Sequence, residues 1–305
     1  MEKGFIPRSD VAGRSTTSDR VFDTLNMAIM ALVTIIILYP LYFVLVASFT
    51  SPRMVQSGAF LLYPLEFFAG GYTKTFNYPP IWRGYYNTII YTVLGTLISL
   101  GVTVSSAYAL SRQDMRGQRV FMFLFTFTMF FGGGMIPSYL LMRSIGIYNT
   151  IWVMLLPGAI SVYNLIVCRT FFQTTIPKEL LESASIDGCS DFGFFFRIAL
   201  PLSGTILAVL ALFYATMKWN SYFDAMIYLT GDEKMPLQIV LRNLLLIGQS
   251  TNMVSGDAKS FAERKNMADQ LKYCIIVVSA APLLIVYPFL QKYFARGVMI
   301  GAIKG

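Results

Sequence analysis

Six long stretches of the chain contain no Asp, Glu, Lys or Arg, and this feature limits what the chain can fold into. A helix that crosses the hydrocarbon core of a membrane needs about 20 apolar residues with few or no charges. The six stretches are 19 to 29 residues long, whereas the next longest has only 14. They cover residues 24–52, 84–111, 120–142, 144–168, 198–217 and 273–291. We therefore predict an all-α membrane protein with six transmembrane helices.

The composition agrees with this prediction and excludes several chemistries. Of the 305 residues, 55% are hydrophobic and only 13% are charged, against about 25% charged in soluble domains. The chain has no His, which removes Ser-His-Asp and Cys-His nucleophile systems and His-ligated metals. Its three cysteines, Cys168, Cys189 and Cys274, are far apart, so no disulfide framework is predicted. We expect no catalytic residue, no metal ligand and, despite the net charge of +8, no nucleic-acid partner.

The spans also give a domain organisation and an orientation. Residues 1–23 form a polar N-terminal arm, 24–291 the transmembrane domain, and 292–305 a tail. Six spans place both termini on one side of the membrane. Three Arg residues crowd the short loop 112–119, which the positive-inside rule assigns to the cytoplasm. We therefore predict cytoplasmic termini, although the totals of 13 Lys and Arg inside and 11 outside discriminate little.

Two loops and one span carry further structure in their patterns. In the cytoplasmic loop 174–197, apolar residues recur at helical spacing on both sides of Gly188, which predicts two short amphipathic helices joined there. The external loop 218–272 contains an apolar run, 237–247, that predicts a short external helix. The three glycines at 132–134 predict a break or bend in the third span.

The cytoplasmic loop carries a more specific motif. Glu182-Ser-Ala-Ser-Ile-Asp-Gly188, followed by Ile198-Ala-Leu-Pro201, resembles the "EAA" loop of the membrane subunits of ATP-binding-cassette (ABC) importers. Ser183 replaces the first Ala of that motif, and its small side chain still allows close approach. The alternative interpretation of the segment is a loop helix that rests on the membrane surface.

The resemblance covers about residues 20–305. Over this length the chain is similar to carbohydrate-importer permeases, above all to the branch associated with polysaccharide-derived oligosaccharides. It rests on the segments Phe131–Leu140, Tyr148–Trp152, Leu156–Ile160, Trp219–Ala225, Pro236–Gln238, Gln291–Phe294 and Gly301–Gly305. The resemblance implies the type I ABC importer permease fold. It also implies a bacterial cell-membrane protein that imports oligosaccharides by alternating access.

The resemblance implies that the ATPase lies in other subunits. No G-x-x-x-x-G-K-[ST] motif occurs in the chain, so ATP and Mg²⁺ are expected on two partner ATPase subunits and no cofactor in this chain. Further expected partners are a homologous second permease that completes a heterodimer, an extracellular solute-binding protein and membrane lipid. The residues expected to couple to the ATPase are Glu182, Ser183, Ala184, Asp187, Gly188, Ile198 and Pro201. Glu182 would pair with a cation or N–H group in the ATPase groove, and Asp187 would cap the turn.

Substrate contacts are sought among uncharged polar and aromatic residues, because sugars bind through hydroxyl hydrogen bonds and aromatic faces. The candidates are Tyr163, Asn164, Trp219, Asn220 and Tyr222. Two of them have simple alternatives, a helix–helix hydrogen bond for Asn164 and an interfacial anchor for Trp219.

Three other functions are weighed against this one. An ABC importer for peptides, phosphate or amino acids shares the loop motif, but the segments around Gly132 and Trp219 favour sugars. An ion-coupled secondary transporter usually has an ionisable residue inside a span, and the six spans lack one. An intramembrane enzyme is disfavoured because the chain lacks His and the spans lack an aspartyl pair.

Overall fold

The computed structural model describes residues 17–57, 62–64, 66–250, 271–285 and 288. Within them the chain is helical, and the β-structure is limited to one isolated bridge between Thr50 and Phe67. The helices are α1 (Thr17–Ser48), α2 (Pro52–Gln56), α3 (Gly70–Phe76), α4 (Pro79–Ser111), α5 (Gln118–Phe130), α6 (Met135–Ser144), α7 (Trp152–Leu155), α8 (Val162–Thr175), α9 (Lys178–Ile186), α10 (Asp191–Leu202), α11 (Gly204–Trp219), α12 (Tyr222–Tyr228), α13 (Leu237–Ser250) and α14 (Leu271–Ile285). Helix α10 includes a π-helical stretch, Phe195–Ala199.

Two helices, α1 and α4, are each long and apolar enough to cross a membrane. Helix α1 is exposed along most of its length and is buried only at its last turn, at Val46, Ala47 and Ser48. Helix α4 has buried positions from end to end, and the helices α8, α11 and α13 all pack against it. Helix α4 is therefore the central element of the described structure.

The third predicted span, 120–142, forms two helices instead of one. Helices α5 and α6 are inclined at 117° across the break between them. The break contains the three glycines, and Gly134 has a φ of +83°, a left-handed conformation that side chains disfavour. The bend expected from the glycines is thus confirmed, and it interrupts the span.

The fourth predicted span, 144–168, also differs from the expected continuous helix. Turns with positive φ at Gly146, Asn149 and Gly158 separate the short helix α7 from its neighbours, and regular helix resumes only at α8. Absence of charge identified the segment as apolar, but these turns divide it. The physical reason is that apolar composition does not prevent local left-handed turns at Gly and Asn.

The fifth predicted span, 198–217, is bent as well. Helices α10 and α11 meet at 79° around Ser203. Counting each bent pair as one span gives up to four spans among the described residues, so the sixfold count is not confirmed. The sixth predicted span, 273–291, coincides in part with the apolar helix α14, and most of 286–291 lies outside the described residues.

The loops agree better with expectation. The segment 237–247 is helical, as α13. The loop 174–197 forms two helices joined by a turn at Gly188, as predicted. Residues 1–16 of the N-terminal arm and the tail 292–305 lie outside the described residues.

Candidate functional site

The helices α9 and α10, here termed the α9–α10 hairpin, owe their sharp turn to Gly188. This residue has a φ of +77°, and its N–H donates to the Ser185 carbonyl while the Cys189 N–H donates to Ala184 O at 2.9 Å. This pair of bonds is the Schellman arrangement that ends a helix with a left-handed residue. The next helix starts after Ser190, whose hydroxyl accepts the Gly193 N–H at 3.1 Å. Local capping therefore fixes the geometry of the hairpin.

The structure brings the predicted coupling residues of α9 together on one short helix. Ala184 is buried and packs into this chain's own core, while its expected close approach to the ATPase stays a prediction. Glu182, Ser183 and Asp187 are exposed, and the Ser183 hydroxyl donates to the Leu180 carbonyl at 3.1 Å. The helix thus presents its polar face outward and its small apolar residue inward.

The remaining motif residues lie on α10. Ile198 is half-buried in the π-helical stretch and packs on the core, whereas Pro201 is exposed. Among the apolar residues that follow Gly188, Phe195 is buried, whereas Phe192 and Phe196 are exposed. Phe195 lies against the ring of Tyr108 in α4, with ring centroids 4.8 Å apart.

Arg112, at the end of α4, anchors the hairpin. Its guanidinium donates from Nη1 to Asp191 Oδ1 at 2.9 Å and from Nε to Asp114 Oδ1 at 2.8 Å. The hydrogen bonds from Arg112 lower the pKa of Asp114 below its usual value, and in turn the bond to Asp114 raises the pKa of Arg112. A second link joins Lys178 Nζ to Gln113 Oε1 at 2.8 Å. In the sequence, Arg112 contributes only to the predicted orientation, and the Arg-x-Asp spacing is the one local signal of this ion pair.

A groove with a cavity volume of about 530 Å³ runs between α9 and the end of α4. Its lining mixes charged, polar and apolar side chains, among them Arg112, Gln113, Phe172, Lys178, Leu181 and Glu182. Glu182 is exposed at this groove, where it is free to meet a cationic or N–H group of another protein. The groove therefore offers both charged and apolar side chains at the surface.

The five candidate substrate residues do not form one site. Tyr163 is exposed near the start of α8, and Asn164 next to it is buried. Trp219 is buried against Tyr85, and its Nε1–H has no hydrogen-bond partner among the described residues. Asn220 is exposed, and its side chain donates to the Thr216 carbonyl at 2.9 Å.

Tyr222 lines a separate cavity of about 530 Å³ between α13 and α14. Polar and cationic side chains contribute to its lining, namely Gln238, Arg242, Lys272 and Ser279. Neither Tyr163 nor Asn164 lines it. Arg242 and Lys272 are not among the residues predicted from the sequence, because they stand in a predicted loop and near a span end, where single cations are common.

Long apolar helices broken at turns, with an exposed polar hairpin carried between two of them, are typical of an integral membrane protein. Comparison with known proteins identifies the family. A family model described as "binding-protein-dependent transport system inner membrane component" matches residues 9–300, and the chain belongs to this family.

Curated relatives and a solved structure agree. The chain is 39% identical over 288 residues to the polygalacturonan/rhamnogalacturonan transport system permease protein YtcP of Bacillus subtilis, covering 94% of this chain and 99% of that protein. It is 40% identical over 291 residues to protein LplC of the same organism, covering 95% and 97%. A crystal structure of a bacterial ABC transporter involved in the import of the acidic polysaccharide alginate has a chain with a TM-score of 0.82 and 34% identity, covering 92% of this chain and 98% of that one.

Family membership confirms the resemblance found in the sequence and establishes the permease class. Permease subunits of ABC transporters have no ATPase site of their own, and they work with ATPase and binding-protein partners. This result favours the importer over an ion-coupled transporter or an intramembrane enzyme.

Proposed function

We propose that this chain is the membrane-spanning permease subunit of an ABC importer that takes up oligosaccharides delivered by an external binding protein. Six spans in the bacterial cytoplasmic membrane, with both termini in the cytoplasm, are part of the proposal. The assembly contains a homologous second permease and two ATPase subunits, which bind ATP and Mg²⁺. The single observation that carries the coupling role is the α9–α10 hairpin, which exposes Glu182 beside a groove.

The position of the hairpin in the chain supports a mechanical role. Helix α8 leads directly into α9, and α10 leads directly into α11, so the hairpin is continuous with two long apolar elements. The link from Arg112 to Asp191 ties it also to α4. A displacement of the hairpin by ATPase subunits that close on ATP would therefore reach three helices and switch access from one side of the membrane to the other.

The relatives and one cavity support an oligosaccharide, and more narrowly an acidic one. YtcP is named for polygalacturonan and rhamnogalacturonan, and the structural neighbour belongs to an importer of the acidic polysaccharide alginate. The cavity beside Tyr222 contains Arg242 and Lys272, and no Asp or Glu is among its described lining residues. Cations of this kind complement the carboxylates of uronic acids, and Tyr222 and Gln238 suit sugar hydroxyls. The cations alone would also suit other anions, and it is the names of YtcP and of the alginate importer that favour a sugar over a peptide, phosphate or amino acid.

The coupling role is tested by reversing one charge. Glu182→Lys places a cation where a carboxylate is proposed to meet the ATPase, so we expect uptake of labelled oligosaccharide to be abolished while membrane insertion is unchanged. Glu179→Lys makes the same change one turn earlier on the exposed part of α9 and should leave most of the uptake. Normal uptake in Glu182→Lys cells with normal protein levels would refute the role.

The substrate class is tested on the purified complex in lipid. ATPase activity is measured with binding protein and a panel of acidic and neutral oligosaccharides, with peptides as a further arm. Stimulation by an acidic glycan is expected. Stimulation only by peptides, or by no solute, would contradict the proposed substrate class.

A further inference from the structure

Lys218, on the last turn of α11, is a buried cation surrounded by apolar elements. Only 4% of its surface is exposed. Its ammonium donates hydrogen bonds to the carbonyls of Met154 at 2.9 Å, Leu155 at 3.2 Å and Pro157 at 3.1 Å. An ammonium has three N–H donors, so this geometry uses all of them. The acceptors lie at the carbonyl end of α7, where helices leave such groups without partners.

Tyr214, one turn earlier on α11, makes a second link of the same kind. Its side chain is fully buried, and its hydroxyl accepts the Ser161 N–H at 3.1 Å. The same hydroxyl shares a hydrogen bond of 2.6 Å with Thr103 on α4. Ser161 is the residue that caps the start of α8. Residues spaced by four lie on one face of a helix, so Tyr214 and Lys218 reach the same neighbouring segment.

Gly95 of α4 makes room for this arrangement. A Cβ atom at Gly95 would lie 3.1 Å from both Cδ and Cε of Lys218. The lysine stem therefore crosses α4 at a point where only a hydrogen atom fits comfortably. Helix α4 thus accommodates the link between α11 and the segment before α8.

Loss of the hydrogen bonds from Lys218 would be strongly destabilising, because the buried ammonium would then have neither water nor protein groups as partners. Asp224 of α12 adds a favourable electrostatic interaction with Lys218. The carbonyl cluster and the ammonium therefore fix each other's position. Lys218 directly follows the fifth charge-free stretch, so it falls outside the predicted spans.

We infer that Lys218 is a positioning residue for transport, which with Tyr214 forms a clasp that makes α8 and α11 move as one unit. This inference rests on the proposed function. At one end α8 and α11 are joined by the α9–α10 hairpin, and at the other end the clasp joins them through Met154–Ser161. The helices α8 and α11, the hairpin and the segment Met154–Ser161 are thus connected in a ring, and both helices pack against α4. Because α8 and α11 are connected at both ends, a displacement of the hairpin is transmitted to the far end of α11.

The inference is tested by the number of sugar molecules transported per ATP hydrolysed by the reconstituted complex. Lys218→Met keeps the length of the side chain and removes the donors, so most of the transport per ATP should be lost. Lys218→Arg, which retains a cation with several donors, should restore much of it. Lys234→Met is the matched control, since Lys234 also donates to a carbonyl, that of Asn149 at 2.6 Å, but is exposed.

Three outcomes would overturn the inference. The first is a wild-type number of sugar molecules per ATP in Lys218→Met. The second is a smaller amount of assembled Lys218→Met complex with a wild-type number of sugar molecules per ATP, which would indicate a structural role only. If the Met variant does not assemble, Tyr214→Phe replaces it, and a wild-type ratio in that variant is the third.

A second readout does not depend on the substrate. Hydrogen–deuterium exchange of the amides in 152–165 should accelerate in Lys218→Met and stay near wild type in Lys218→Arg and Lys234→Met. Failure of the wild-type complex to transport any sugar would refute the proposed function and leave this exchange result standing. Unchanged exchange in Lys218→Met would refute the clasp and leave the proposed function standing.

Discussion

Substituting Gly188 by Ala isolates the backbone strain in the α9–α10 hairpin. Nothing lies within 4 Å of a Cβ atom built on Gly188, so the methyl group meets no clash. The cost comes from the φ of +77°, which is about 1–2 kcal/mol for a residue with a Cβ atom. A free energy of that size changes an opening equilibrium by a factor of about 5–30. The turn should therefore open that much more often.

Hydrogen exchange of the Gly188 and Cys189 amides measures this opening, because both donate to carbonyls of α9. We expect their exchange to accelerate by about 5- to 30-fold in Gly188→Ala and by less in Gly188→Asn, since Asn tolerates the left-handed region. Gly204→Ala is the control. It too has open space for a Cβ atom, but it lies at the start of α11 without a positive φ, so it should be neutral or stabilising. Equal effects of Ala at positions 188 and 204 would refute the reasoning.

Two further predictions concern α4 and the loop after it. A Cβ atom at Gly84 would lie 2.9 Å from Leu237 Cα. Gly84→Ala should therefore destabilise the packing of α13 on α4 by about 1–3 kcal/mol and lower the Tm of the purified protein. Gly101 has open space around it, so Gly101→Ala should leave the Tm unchanged. The bond from Arg112 lowers the pKa of Asp114, so its stabilisation is present above the usual carboxyl pKa of about 3.9 and is lost as the pH falls through the lower folded-state value. The Tm difference between wild type and Asp114→Asn should accordingly shrink below a pH of about 4, and a difference that grows in acid would contradict the assignment.

Local patterns were sufficient to predict the hairpin. Gly188 and the apolar spacing on both sides of it act within a few residues, so these patterns alone predict two helices and a turn between them. The same holds for the break at the glycines before α6 and for α13. In each case the determining interactions are short-range.

The interruption of the fourth predicted span and the burial of Lys218 could not be predicted in the same way. The three carbonyls that accept from Lys218 are more than 60 residues away in the chain. A rule that ends a span at the first charge places Lys218 in water, because the compensating carbonyls appear only when α7 and α11 meet. The anchoring role of Arg112 has the same origin, since Asp191 is 79 residues distant.

The packing of α1 and α4 also bears on the order in which the chain is built during synthesis. Lipid can surround α1 as soon as it emerges from the ribosome, because protein covers only its last turn. Helix α4 instead holds Thr88 and Thr103, whose partners Leu237 and Tyr214 are translated 149 and 111 residues later. Before the C-terminal half is made, these hydroxyls can bond to carbonyls of α4 itself, as Ser and Thr side chains do within helices. Helix α1 therefore needs few partners from this chain, whereas α4, which follows it after two short helices, needs partners from the C-terminal half.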